Sequence, residues 1–88
     1  MKISFKKRER ISEQILLFLY TKNPQPLFTS EIAREMARDE EFIKKLLTDL
    51  KNKGLVVLIA KNSQGKKYLR RQRWTLSDSA YRIYKGYQ

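Results

Sequence analysis

Residues 29–56 read TSEIAREMARDEEFIKKLLTDLKNKGLV, and this stretch decides the fold. Thr29 is a residue type that caps helices, and Glu31 falls in the first turn, where the helix dipole favours an acid. Ile32, Ala33 and Met36 form the inner face of a short helix. Arg38-Asp39 reads as a tight turn, with Asp39 capping a second helix. Ile43, Leu46, Leu47 and Leu50 fall on one face of that helix. Lys51-Asn52-Lys53 places positive charge at its C-terminal end, and Gly54 stands where a left-handed C′ residue belongs. Two short helices joined by so brief a turn make a helix-turn-helix unit.

The flanks extend this unit. Between Arg8 and Thr21, Ile11, Ile15, Phe18 and Leu19 recur at helical spacing. Leu16, Leu17 and Tyr20 broaden the stripe, which predicts cover on more than one side. A start as early as Phe5, with Ser4 as cap, fits the same pattern. Asn23-Pro24-Gln25-Pro26 ends this helix, because a residue before proline is pushed out of the α region. Leu27-Phe28 is one strand-like rung.

Downstream, Leu55-Val56-Val57-Leu58-Ile59-Ala60 is a β-branched run of strand length, and Lys61-Asn62-Ser63-Gln64-Gly65 is a turn. Lys66 to Leu76 returns as a second strand. Trp74 and Leu76 face the core, and Arg71 and Arg73 point outward. Ser77 caps a last helix, with Ala80, Ile83, Tyr84 and Tyr87 on one stripe. A hairpin directly after a helix-turn-helix is a wing. The expected class is α+β, mainly α: a winged helix with a three-helix core, a two-to-three-stranded β-wing and a C-terminal helix. One domain is expected over residues 1–88, with a basic arm at 1–7, the wing at 55–76 and the last helix at 77–88.

Composition narrows the chemistry. The chain has 88 residues, a length that suits one core. It has no cysteine and no histidine, which removes thiolate catalysis, disulfides, the commonest general base and the commonest metal ligand. No Walker or dinucleotide glycine motif is present. An enzyme, a cofactor and a metal are therefore not expected. No apolar run approaches a membrane span, and the default is a soluble cytoplasmic protein, nucleoid-associated if it binds DNA.

The formal net charge is +11, from 20 Lys+Arg against 9 Asp+Glu. It is unevenly placed. Residues 2–10 carry five basic side chains against Glu9 alone, and residues 29–53 are neutral. Residues 61–73 carry Lys61, Lys66, Lys67, Arg70, Arg71 and Arg73 with no acid. Like charges so concentrated repel one another, and a polyanion relieves that repulsion. A lysine-rich edge that deters strand-to-strand aggregation explains some of these charges but does not require six.

The pattern resembles winged-helix regulators of the MarR/ArsR type. The matching residues are Ile32-Ala33 and Met36, then Ile43, Leu47 and Leu50, then Gly54-Leu55-Val56. Trp74-Thr75-Leu76-Ser77 followed by Ala80 is similar to the family's strand end and capped last helix. The resemblance spans about residues 8–86. It implies that the third helix reads DNA and that the wing holds phosphates. It also implies a homodimer formed through terminal helices, here with Tyr81, Ile83, Tyr84 and Tyr87. The same tyrosine-bearing stripe equally serves as core cover.

On the third helix the outward face holds Glu41, Lys45, Thr48 and Asn52, with Lys44 beside them. Lys can donate to guanine, Asn can pair with adenine, and Glu can accept from a cytosine amino group. Ordinary solvent-side residues would look the same. Glu40 and Glu41 favour the helix dipole but oppose phosphates. On the wing, Lys61, Lys66, Lys67, Arg70, Arg71 and Arg73 can straddle a phosphate backbone. Lys6, Lys7 and Arg8 form an N-terminal arm that either follows the backbone or frays. The expected function is sequence-specific or semi-specific binding of double-stranded DNA by a small transcriptional regulator. The rivals are a protein-interaction module of a transcription or replication complex, and an RNA-binding domain.

Overall fold

The computed structural model describes residues 4–59 and 72–86. In chain order these form α1 (Phe5–Lys22), β1 (Leu27–Phe28), α2 (Thr29–Met36), α3 (Glu40–Asn52), β2 (Val56–Ile59), β3 (Arg73–Leu76) and α4 (Asp78–Gly86). The three strands make an antiparallel sheet in the order β1-β3-β2. This is the expected mainly helical architecture with a small sheet.

The core forms where the helical stripes meet the sheet. Ile11, Ile15, Leu16 and Leu19 of α1 pack with Ile32 and Ala33 of α2 and with Ile43, Leu46, Leu47 and Leu50 of α3. Strand alternation adds the other wall. Trp74 pairs with Leu27 on one side and Leu58 on the other, and Leu76 pairs with Val56. Trp74 and Leu76 are buried, so the core-facing pair expected in the returning strand is the observed one. Such side chains contribute roughly 1.5–3 kcal/mol each when fully withdrawn from water.

Helix ends follow their local chemistry with one exception. The Ser4 side chain accepts the Lys7 N–H at 3.2 Å, so α1 starts at Phe5 and residues 5–7 of the expected arm lie in its first turn. Asp39 caps α3 by accepting the Phe42 N–H at 3.2 Å, and Ser77 accepts the Ala80 N–H at 3.2 Å. Gly54 adopts φ +77° beyond α3, and the Leu55 N–H reaches back to the Leu50 carbonyl. This is the left-handed termination expected there. Thr29 does not cap α2. It is the first helical residue, and its hydroxyl accepts the buried Trp74 indole N–H at 2.8 Å. The Glu31 carboxylate holds the helix start instead, accepting the Phe28 N–H at 2.9 Å.

Three other expectations need correction. Leu17 is half exposed, because the apolar cover of α1 does not wrap to the side opposite Ile15. Ile83 is also exposed: α4 turns Ala80 into the core and lays Tyr81 and Tyr84 against Tyr20, with ring centroids 5.5 and 5.6 Å apart. Arg73 lies on the sheet face away from Trp74 but is half-buried, with its Nε shielded from water.

Candidate nucleic-acid interface

Helix α3 is mounted by its apolar face. Ile43 and Leu47 are fully buried, with Leu46 and Leu50 beside them. At 100° per residue this leaves Glu41, Lys44, Lys45, Thr48 and Asn52 facing solvent, and all five are exposed. Both ends are anchored. Asp39 holds the first turn. At the other end the Ser77 hydroxyl donates to the Gly54 carbonyl at 2.8 Å, and the Ser77 N–H donates to the Leu55 carbonyl at 3.0 Å. The exposed face is therefore a polar strip on a helix anchored at both ends, dimensioned for the major groove of B-DNA.

Two contacts refine the strip. The Thr48 hydroxyl donates to the Lys44 carbonyl one turn earlier, at 2.9 Å. With its proton engaged, this exposed side chain is left with a methyl group and an oxygen lone pair to offer. The Arg8 guanidinium of α1 meets the Asp49 carboxylate of α3 at 3.3 Å, with both side chains about half exposed. Arg8, Glu41, Lys44, Lys45, Thr48 and Asp49 line one shallow groove of about 410 Å³. Arg8 thus joins the α3 residues, while Lys6 and Lys7 stay exposed on the first turn of α1. Arg73 sits in β3 opposite Phe28 and Ile59. Lys61, Lys66, Lys67, Arg70 and Arg71, with the turn at 61–65, lie outside the described residues, as does Tyr87.

Asp49 is the residue that pattern reading missed. Its partner stands 41 positions away, so no local spacing reveals it. Among the described residues, no group of Asp and Glu is gathered for a metal ion, and no helix is long and apolar enough to cross a membrane.

No family model matches the chain, and no curated protein matches its sequence. Solved structures do match. The Staphylococcus aureus MepR–DNA complex aligns with a TM-score of 0.74 at 22% identity, over 88% of this chain and 59% of that one. MepR described as a transcription regulator of the multidrug efflux pump MepA gives 0.71 at 22%, over 88% and 53%. A point variant of Lactococcus lactis ZitR gives 0.70 at 20% identity, over 99% and 55%. The fold is a winged helix. At 20–22% identity, the likeness to MepR and ZitR is one of fold. The chain spans a little over half the length of these structures.

Proposed function

We propose that this chain binds double-stranded DNA as a small transcriptional regulator, with α3 in the major groove and the basic wing on the phosphate backbone. The observation that carries the reading is the exposed strip of Glu41, Lys44, Lys45, Thr48 and Asn52 on a helix anchored at both ends, in a chain of net charge +11. Two supports stand beside it. One is the fold shared with MepR, a protein seen in complex with DNA. The other is the density of Lys and Arg in residues 61–73. Phosphate contacts position such a protein and base contacts specify its site. The wing and Arg8 belong to the first role, Thr48 and Asn52 of the α3 strip to the second, and Lys44 and Lys45 stand between the two. The reaction is binding alone, with no catalysis.

We further read the regulator as one domain that pairs with a second copy. Ile83, 55% exposed on α4, supplies the apolar contact that Tyr81 and Tyr84, laid against Tyr20, do not.

A salt series of binding to duplex DNA, single-stranded DNA and duplex RNA tests the function. Duplex DNA is bound best, and log K falls with log[salt] at about −0.9 per neutralised phosphate, for about five to eight phosphates. An affinity independent of salt overturns the reading. Preference for duplex RNA makes the chain an RNA-binding domain. Weak binding to all three nucleic acids makes it a protein-interaction module.

A further inference from the structure

The Arg8–Asp49 ion pair joins two helices beside the polar strip. Its setting is unusual for a chain with so many cations. Lys6, Lys7 and Arg10 share the first turns of α1 with Arg8, yet Arg8 is the one drawn across to α3. There it enters the groove that also holds Lys44, Lys45 and Thr48. The groove lining carries three cations against Glu41 and Asp49, so its balance is positive.

A guanidinium presents five N–H donors in a rigid planar fork. Asp49 engages it through Nη2. This single contact draws the fork towards α3 and leaves its other donors outside the pair. A long side chain already held in place loses less freedom when it takes a ligand, which is how preorganisation raises affinity. The planar fork also matches a phosphate better than a point charge does.

We propose that this groove seats one backbone phosphate of the duplex, bound by Arg8 together with Lys44 and Lys45, and that Asp49 is the positioning residue that aims Arg8 into it. The proposal rests on the DNA-binding reading above. It assigns to α1 a contact fixed by the fold, and it gives an acid on the DNA-facing side a favourable part.

The carboxylate has two opposed effects. It orients Arg8, and it repels phosphate. A double-mutant cycle separates them. Duplex DNA of mixed sequence is titrated across a salt series with the intact protein, Arg8→Ala, Asp49→Asn and the double variant. Arg8→Ala lowers the salt slope by at most about 0.9, one phosphate's worth, because Lys44 and Lys45 remain. Asp49→Asn weakens binding by about two- to tenfold, the lower part of the range of coupled neighbours. In the Arg8→Ala background the same change tightens binding, because only repulsion is then removed. Asp49→Glu recovers part of the affinity that Asp49→Asn loses. If Asp49→Asn tightens binding equally in both backgrounds, or changes neither, the positioning role is overturned while DNA binding stands. If the folded intact protein retains no duplex even at low salt, the DNA-binding reading falls and takes the phosphate seat with it.

Discussion

The indole Nε1 of Trp74 donates to the Thr29 hydroxyl across 2.8 Å, with both residues buried. This bond ties the first residue of α2 to the middle strand of the sheet. It therefore helps set how the helix-turn-helix sits against the wing stem. Thr29→Val keeps the shape of the side chain and removes the acceptor, leaving a buried N–H unsatisfied. The expected loss is about 1–3 kcal/mol. Thr29→Ser keeps the oxygen and should lose less. Urea unfolding midpoints of the two variants check this, and equal midpoints would show that the bond contributes nothing.

The turn between α2 and α3 offers a gain in stability. Ala37 closes α2 in the left-handed region at φ 55°, while the Arg38 N–H reaches back to the Ala33 carbonyl at 3.0 Å. An L-residue with a Cβ is strained there by roughly 1–2 kcal/mol, and glycine gives back part of the difference through its freer unfolded chain. Ala37→Gly should therefore stabilise the protein by about 0.5–1 kcal/mol. A lower denaturation midpoint in the variant would contradict this.

Thr29 and Ala37 also mark where the sequence stops being readable. The helices are legible because apolar residues at 3.6-residue spacing leave one solution, as Ile43, Leu46, Leu47 and Leu50 show on α3. Local pattern alone makes Thr29 a cap, since nothing nearby says that Trp74 will claim its hydroxyl from 45 positions away. Ala37 carries no left-handed preference; closing α2 against α3 imposes that backbone on it. Gly54 shows the contrary case, where residue type and conformation agree. On the interface, exposure of the α3 strip follows from the same periodicity, but the seat of Arg8 on Asp49 is a tertiary contact that no spacing encodes.

The bond from Thr48 to the Lys44 carbonyl shapes what this position can read. With its proton engaged, Thr48 offers a methyl group and an acceptor to the groove. The methyl suits the thymine C5-methyl. Thr48→Ser should weaken binding to a thymine-containing site by about fourfold, from about 0.8 kcal/mol for one buried methyl. Thr48→Val should keep that contact. Replacing thymine with deoxyuridine should cost the intact protein the same factor and Thr48→Ser almost nothing. Equal losses for both proteins would assign the methyl contact elsewhere.

Ile83 tests the pairing of two copies. It is 55% exposed on α4, so the isolated fold has little need of it. Ile83→Glu should change monomer stability by no more than about 0.5 kcal/mol, as surface substitutions do. It should nevertheless shift sedimentation from dimer to monomer at the same protein concentration, because a carboxylate in an apolar contact is costly to bury. A dimer that survives Ile83→Glu would place the interface away from this helix.

Alkaline pH should act through Tyr84. Burial lifts its phenol above the ordinary value of 10.0, and the nearby Glu13 carboxylate adds to the rise by opposing a second negative charge. The folded state thus holds this proton more tightly than the unfolded chain does. Its contribution to stability is fully present below about pH 10, the unfolded value, and is lost as pH rises through the higher folded value. Lysines and other tyrosines titrate in the same window, so the difference between the intact protein and Tyr84→Phe isolates the effect. The intact protein should lose more stability than Tyr84→Phe as pH climbs past 10, measured by urea midpoints at matched ionic strength. Glu13→Gln should lower the folded value toward the ordinary one and narrow that difference without abolishing it, because burial is the larger cause. If Tyr84→Phe follows the same alkaline decline as the intact protein, the phenol titrates alike in both states and the packing of α4 on Tyr20 does not depend on its proton.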